Sequence, residues 1–123
     1  MSKHNQIVGK KGEELALQHL KSANYEPIVC NWRFGRAEVD IIAWSPARIL
    51  VFVEVKTRQH SPFGYPEEAV SHKKQKLLYE AATEYMYQHN YEGEIRFDII
   101  SIVLYEQMPP HLEHFEDAFF PGW

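Results

Sequence analysis

The chain has 123 residues, 45% hydrophobic and 24% charged, which suits one globular domain with a modest core and excludes a disordered chain. A formal net charge of −4 excludes a global basic footprint for nucleic acid and leaves only a local patch open. The single cysteine, Cys30, excludes an internal disulfide framework, and no apolar run reaches membrane length, so a cytoplasmic protein with no membrane partner is expected.

Residues 5–24 carry a helical pattern, with Glu13, Ala16, Leu17, Leu20 and Ala23 on one face. Glu13 therefore lies on the stripe that looks toward the core. Gly9 and Gly12 each cost about 1 kcal/mol in a helix relative to Ala, which makes sense if something approaches the backbone closely. A strand is predicted over 25–32, broken near its start by Pro27 and carrying Cys30 as a half-buried thiol. Phe34-Gly35-Arg36 then reads as a tight turn.

The next strand spans 37–43, where alternation puts Glu38, Asp40 and Ile42 on one face. A turn at residues 45–48 leads into 49–58, a buried strand interrupted by charge. There Glu54, Lys56 and Arg58 point to one face and Val51, Val53 and Val55 to the other. So short a link makes a hairpin, and Asp40 and Glu54 can then lie roughly 5 Å apart.

Residues 59–68, with Pro62, Gly64 and Pro66, form a loop. Ser71 is the predicted N-cap of a helix from 72 to about 90, burying Leu78, Ala81, Ala82, Tyr85 and Met86. Its first turn carries Lys73, Lys74 and Lys76 against the macrodipole; solvated lysines account for them, and so would an anion docking at that helix start. A strand over 95–104 follows. Met108-Pro109-Pro110 ends regular structure and leaves 111–123 as an aromatic, acidic tail, short-helical or laid over the core. His111-x-x-His114 has helix-compatible spacing for a metal, but a solvated pair is the better reading of that setting. Helix, three strands, helix, strand predicts one α/β domain over 1–123, with a mixed central sheet flanked by helices and a short tail from 108.

Glu13, Asp40 and Glu54 each sit among apolar residues on separate elements, with Lys56 just beyond the last. Carboxylates gathered without as many cations repel one another. A divalent cation resolves that, and oxygen ligands select Mg²⁺ or Mn²⁺. Such an ion would stabilise charge on a phosphodiester and activate a water, with Lys56 orienting or deprotonating that water or stabilising transition-state charge. No G-x-S-x-G and no cysteine with an evident base support a Ser or Cys nucleophile.

Asp40, followed fourteen positions on by Glu54-Val55-Lys56, resembles the signature of the PD-(D/E)xK nuclease superfamily. Gly9-x-x-Gly12-Glu13-x-x-Ala16, Glu38-Val39-Asp40-Ile41-Ile42 and Phe52-Val53-Glu54-Val55-Lys56-Thr57-Arg58 together resemble the YraN family, small bacterial proteins similar to archaeal Holliday-junction resolvases. Phe63-Gly64, Glu68-Ala69-Val70, Lys74-Gln75, Arg96-Phe97-Asp98 and Ala118-Phe119 extend the likeness over nearly the whole chain.

The resemblance implies a restriction-endonuclease-like core. It implies a metal held by Asp40, Glu54 and the Val55 carbonyl, with Glu13 completing the site directly or through water. The catalytic group it implies is Glu13, Asp40, Glu54, Lys56 and Gln75. Gln75 enters because Gln75-x-x-x-Tyr79 resembles the QxxxY element of RecB-like nucleases, although a surface Gln with a packing Tyr reads the same way. Ala37 departs from the pattern by replacing a glycine, so the turn before Asp40 must differ if that position needs positive φ.

The function expected is a Mg²⁺- or Mn²⁺-dependent endonuclease acting on branched or structured DNA in repair or recombination. Arg33, Arg36, Arg58, Lys73, Lys74 and Lys76 would line its phosphate-binding patch. The alternative is a catalytically inactive nuclease-fold module that binds nucleic acid or a protein. Resolvase-like relatives are often dimers, which makes a homodimer part of what the resemblance implies.

Overall fold

The computed structural model describes residues 3–63 and 70–120. The second half of the predicted loop, with the family positions Gly64 and Glu68, and the family position Ala69 just after it lie outside the described residues. Within them the chain forms α1 (Lys3–Ser22), β1 (Glu26–Phe34), β2 (Ala37–Trp44), β3 (Leu50–Gln59), α2 (His72–Gln88), β4 (Ile95–Leu104) and β5 (His111–Phe115). The strands hydrogen-bond in sequence order, β1-β2-β3-β4-β5. All neighbours are antiparallel except β3 and β4, which run parallel because α2 carries the chain back between them. This is the mixed α/β arrangement expected from the sequence, and it is consistent with a nuclease-like core. No helix among the described residues is long and apolar enough to cross a membrane.

Each helix covers one face of the sheet. Ala16 and Leu20 of α1 pack on Ile41, Ala43, Val51, Val53, Ile100 and Ile102. Leu78, Ala81, Ala82 and Tyr85 of α2 pack on Ile42, Leu50, Phe52 and Phe97. Strands β3 and β4 are buried on both faces and hence read as near-continuous apolar runs. Ser71 caps α2 as predicted, its hydroxyl accepting from the Lys74 N–H at 3.1 Å.

Of the two helix glycines, Gly12 faces a neighbour: a Cβ there would overlap the Thr57 side chain of β3, whereas among the described residues nothing lies near Gly9. Gly12→Ala is therefore expected to destabilise the protein by about 1–3 kcal/mol, although alanine is the better helix former. Urea unfolding of the single variant and of Gly12→Ala with Thr57→Ala checks this: the double variant should recover most of the loss.

The C-terminal tail is an edge strand. β5 pairs with β4 from Ile99↔Phe115 to Val103↔His111. Its five residues alternate, with Leu112 and His114 inward and His111, Glu113 and Phe115 outward. Sequence reading missed it because the inward position 114 is polar. The His111/His114 pair is thus not a solvated one. His111 is exposed beside Glu113, but His114 is tucked in, its Nε2 2.8 Å from Oδ2 of the fully buried Asp98. Arg96 grips both oxygens of Asp98 at 2.8 and 2.9 Å and donates to the Tyr25 hydroxyl at 2.6 Å. The Asp117 N–H supplies another bond at 3.0 Å, and His114 Nδ1 meets His19 Nε2 of α1 at 3.0 Å. One buried carboxylate thus ties β4, β5 and α1 together, fully paired as a buried charge must be.

Candidate functional site

The candidate site lies where β2 and β3 run past their shared ladder. Their register is antiparallel from Trp44↔Leu50 to Ile41↔Val53, so one further step sets Asp40 against Glu54. Here the pairing stops and the alternation of β2 breaks. Ala37 and Val39 join the α2 side of the core together with Ile42, whereas Ile41 joins the α1 side. Glu38, Asp40 and Ile42 therefore do not share one face as simple alternation predicted. The break lets the Asp40 carboxylate reach over the middle of β3, where it accepts the Val55 N–H at 2.7 Å. Ala37 is an ordinary buried strand residue, and the positive φ of the hairpin falls on Gly35, at 59°.

Beside it opens a cleft of about 730 Å³, walled by the first half of α1, the start of β2 and the middle of β1 and β3. Glu13, Asn31, Glu38, Asp40, Glu54, Val55 and Thr57 line it. The structure thus brings together Glu13, Asp40, Glu54 and Val55 from three elements. Burial first, and then the neighbouring Glu54 charge, push the Asp40 carboxyl up to about 7, against the opposing pull of the Val55 N–H and Lys74.

Glu54 is only 5% exposed, yet its two oxygens differ. Oε1 sits 3.1 Å from Lys74 Nζ and 3.9 Å from Lys56 Nζ. Oε2 is buried and has no hydrogen-bond partner among the described residues. Glu13 is held toward the cleft by Asn31, whose amide donates to Oε1 at 2.8 Å. Asn31 adopts a left-handed φ of 55° inside β1, between the pairs Cys30↔Ile41 and Trp32↔Val39. Sequence reading passed over it. An asparagine inside a β pattern was the available signal, since Asn is depleted in strands and tolerates φ > 0.

Other predicted residues fall elsewhere. Gln75 does not line the cleft; its amide donates to the Val70 carbonyl at 2.9 Å, behind the start of its own helix. Arg33 pairs with Glu38 at 2.7 Å, and Arg36 lies exposed in the β1–β2 turn. Arg58 is half-buried near the end of β3, while Lys73, Lys74 and Lys76 occupy the first turn of α2. Because β2 runs against β3, the β1–β2 turn and the C-terminal part of β3 lie at one end of the sheet, the end that Lys74 also reaches. Cys30 is exposed rather than half-buried.

Comparison with known proteins gives the family. A model of the uncharacterised protein family UPF0102 matches residues 12–102, which include every cleft carboxylate. A UPF0102 protein of Flavobacterium psychrophilum is 45% identical over 120 residues, 98% of each chain. One from Christiangramia forsetii is 42% identical over 98% of each chain, and one from Porphyromonas gingivalis is 43% identical over 97% of this chain and 87% of its own. Likeness at this level over the full length, on top of the motifs gathered in the cleft, has one meaning: the chain belongs to the UPF0102 (YraN) family.

Proposed function

We propose that the cleft is the site of a Mg²⁺- or Mn²⁺-dependent nuclease acting on DNA, with branched or structured DNA as its preferred substrate. The observation that carries this reading is the buried, unpartnered Oε2 of Glu54, beside an Asp40 whose charge that same Glu54 disfavours. An unpaired buried carboxylate oxygen is costly, and two carboxylates in one cleft compound it. A hard divalent cation relieves both at once.

The donor set fits a sparsely held ion. Among the described residues no three His, Cys, Asp or Glu side chains form a ready-made metal group. Asp40, Glu54 and the Val55 carbonyl would therefore hold the ion, with Glu13 acting through water. Mg²⁺ is commonly bound in this way, by one or two carboxylates and retained waters. Bound there, it would supply charge stabilisation at a phosphodiester and an acidified water. Lys56, on the same strand face as Glu54, would donate to the attacking water or to a phosphate oxygen. Asn31 would keep Glu13 turned inward, and the basic residues around this sheet end would hold the phosphate backbone.

The test is cleavage of four-way junctions, flaps, duplexes and single strands with Mg²⁺ or Mn²⁺, and without either. Wild type should cut at least one of them, and Glu54→Ala or Lys56→Ala should slow it by about 10²-fold or more. Failure to cut any substrate, or cutting that survives both variants, would leave the non-enzymatic binding module as the better account.

A further inference from the structure

Lys74 reaches the cleft carboxylates from beyond the β3–α2 connection. Lys56 reaches Glu54 simply because residues two apart share a strand face. Lys74 arrives from the first turn of α2, where the macrodipole opposes a cation and the turn itself carries no acidic residue. The cap places it there: the Ser71 hydroxyl takes the Lys74 N–H, and the Lys74 ammonium closes to 3.1 Å from Glu54 Oε1. It contacts the very carboxylate whose other oxygen is unpartnered. The Lys74 side chain is 43% exposed, so its long stem can swing outward, where Lys73 and Lys76 already face solvent.

We propose that Lys74 works in two positions, as the counter-ion of Glu54 when the cleft holds no metal and as a phosphate ligand when it does, so that cation and nucleic acid bind with positive coupling. This rests on the metal-site reading of the cleft. A divalent cation on Glu54 repels the ammonium and releases it toward the substrate. Conversely, a phosphate that draws Lys74 away uncovers Glu54 for the cation. Linkage requires the two effects to be equal in free energy. The substrate class this favours is one that brings a backbone phosphate to the start of α2 while the scissile phosphate lies in the cleft.

Calorimetry with Ca²⁺ and a four-way-junction oligonucleotide tests the coupling without cleavage. Wild type should bind Ca²⁺ about 5-fold or more tightly when the junction is present, and the junction more tightly by the same factor when Ca²⁺ is present. Lys74→Met should bind Ca²⁺ several-fold more tightly than wild type in the absence of DNA and lose most of the coupling. Lys74→Arg should restore the coupling, and Lys11→Met, which removes one charge from the exposed side of α1, should do neither. Asp40→Asn is the separate control. If wild type binds no Ca²⁺, or binds it just as well with that substitution, the metal-site reading falls and takes this inference with it. If wild type binds Ca²⁺ in the cleft while Lys74→Met gains no affinity or keeps full coupling, the two-position role alone is overturned.

Discussion

Asp98→Ala is expected to destabilise the protein by about 3–5 kcal/mol, the range for breaking a buried ion pair from one side. The side chain is 0% exposed and holds Arg96, His114 and the Asp117 N–H, so its loss strands a guanidinium that is itself largely buried. Burial pushes the Asp98 carboxyl up, but the bonds from His114, Arg96 and Asp117 outweigh it and hold the group below the ordinary Asp range. A depressed carboxylate stabilises the fold above its unfolded pKa, near 4, and that contribution is lost as pH falls through the folded value. Guanidinium unfolding at pH 7 and pH 3 measures both effects. A loss under about 1 kcal/mol at pH 7 would contradict the central role given to this carboxylate.

His19, at the other end of the same chain of contacts, works in a higher window. Burial first and then the His114 charge lower its pKa, so the folded state resists a proton that the unfolded chain accepts. Stability therefore also declines as pH drops below about 6.5.

Asp40→Asn is expected to act in the opposite sense. With its folded pKa raised to about 7, Asp40 carries a proton when folded that it sheds when unfolded. Its contribution is thus favourable in acid and is lost as pH rises from about 4 to 7. At pH 8 the metal-free Asn variant should melt above wild type, by about 5 °C, and the gap should close toward pH 5. Adding Mn²⁺ should reverse the order, because wild type then gains a ligand that the variant cannot hold. Melting curves at pH 5 and pH 8, with and without Mn²⁺, decide it. A variant less stable than wild type at pH 8 without metal would mean that Asp40 is a structural carboxylate held by the Val55 N–H. The expected order, by contrast, would mean that this carboxylate costs stability in order to bind a cation, a trade found at functional sites.

Much of the fold was legible because its strongest signals are periodic. The α1 stripe, the two-face burial of β3 and the α2 stripe with its Ser71 cap follow from spacing alone. The β2–β3 hairpin put Asp40 beside Glu54 because so few residues connect the strands. What escaped was set by tertiary partners. β5 looked like tail because His114 takes an inward position that an apolar residue usually fills, and only Asp98, sixteen residues earlier, explains it. Arg96 and Asp98 were noted as family residues, yet opposite charges two apart in an apolar strand already implied a same-face pair. The break in β2 at Asp40 was invisible because alternation has no term for a strand leaving its ladder. Gln75 came from a short motif alone, and the structure shows its side chain donating to the Val70 carbonyl.

The left-handed turn of Asn31 also bears on how these molecules tolerate one another in a crowded cell. An open five-stranded sheet presents two free edges, each a template for pairing with another chain and so for aggregation. The outer edge of β1 is interrupted at Pro27, which has no N–H to offer, by a register shift before Val29, and again at Asn31. The β5 edge is short and shows His111 and Glu113 to solvent. The kink that turns an amide onto Glu13 thus also disfavours regular pairing of another strand along β1. Straightening it to please the sheet would loosen the cleft and expose a sticky edge in the same stroke.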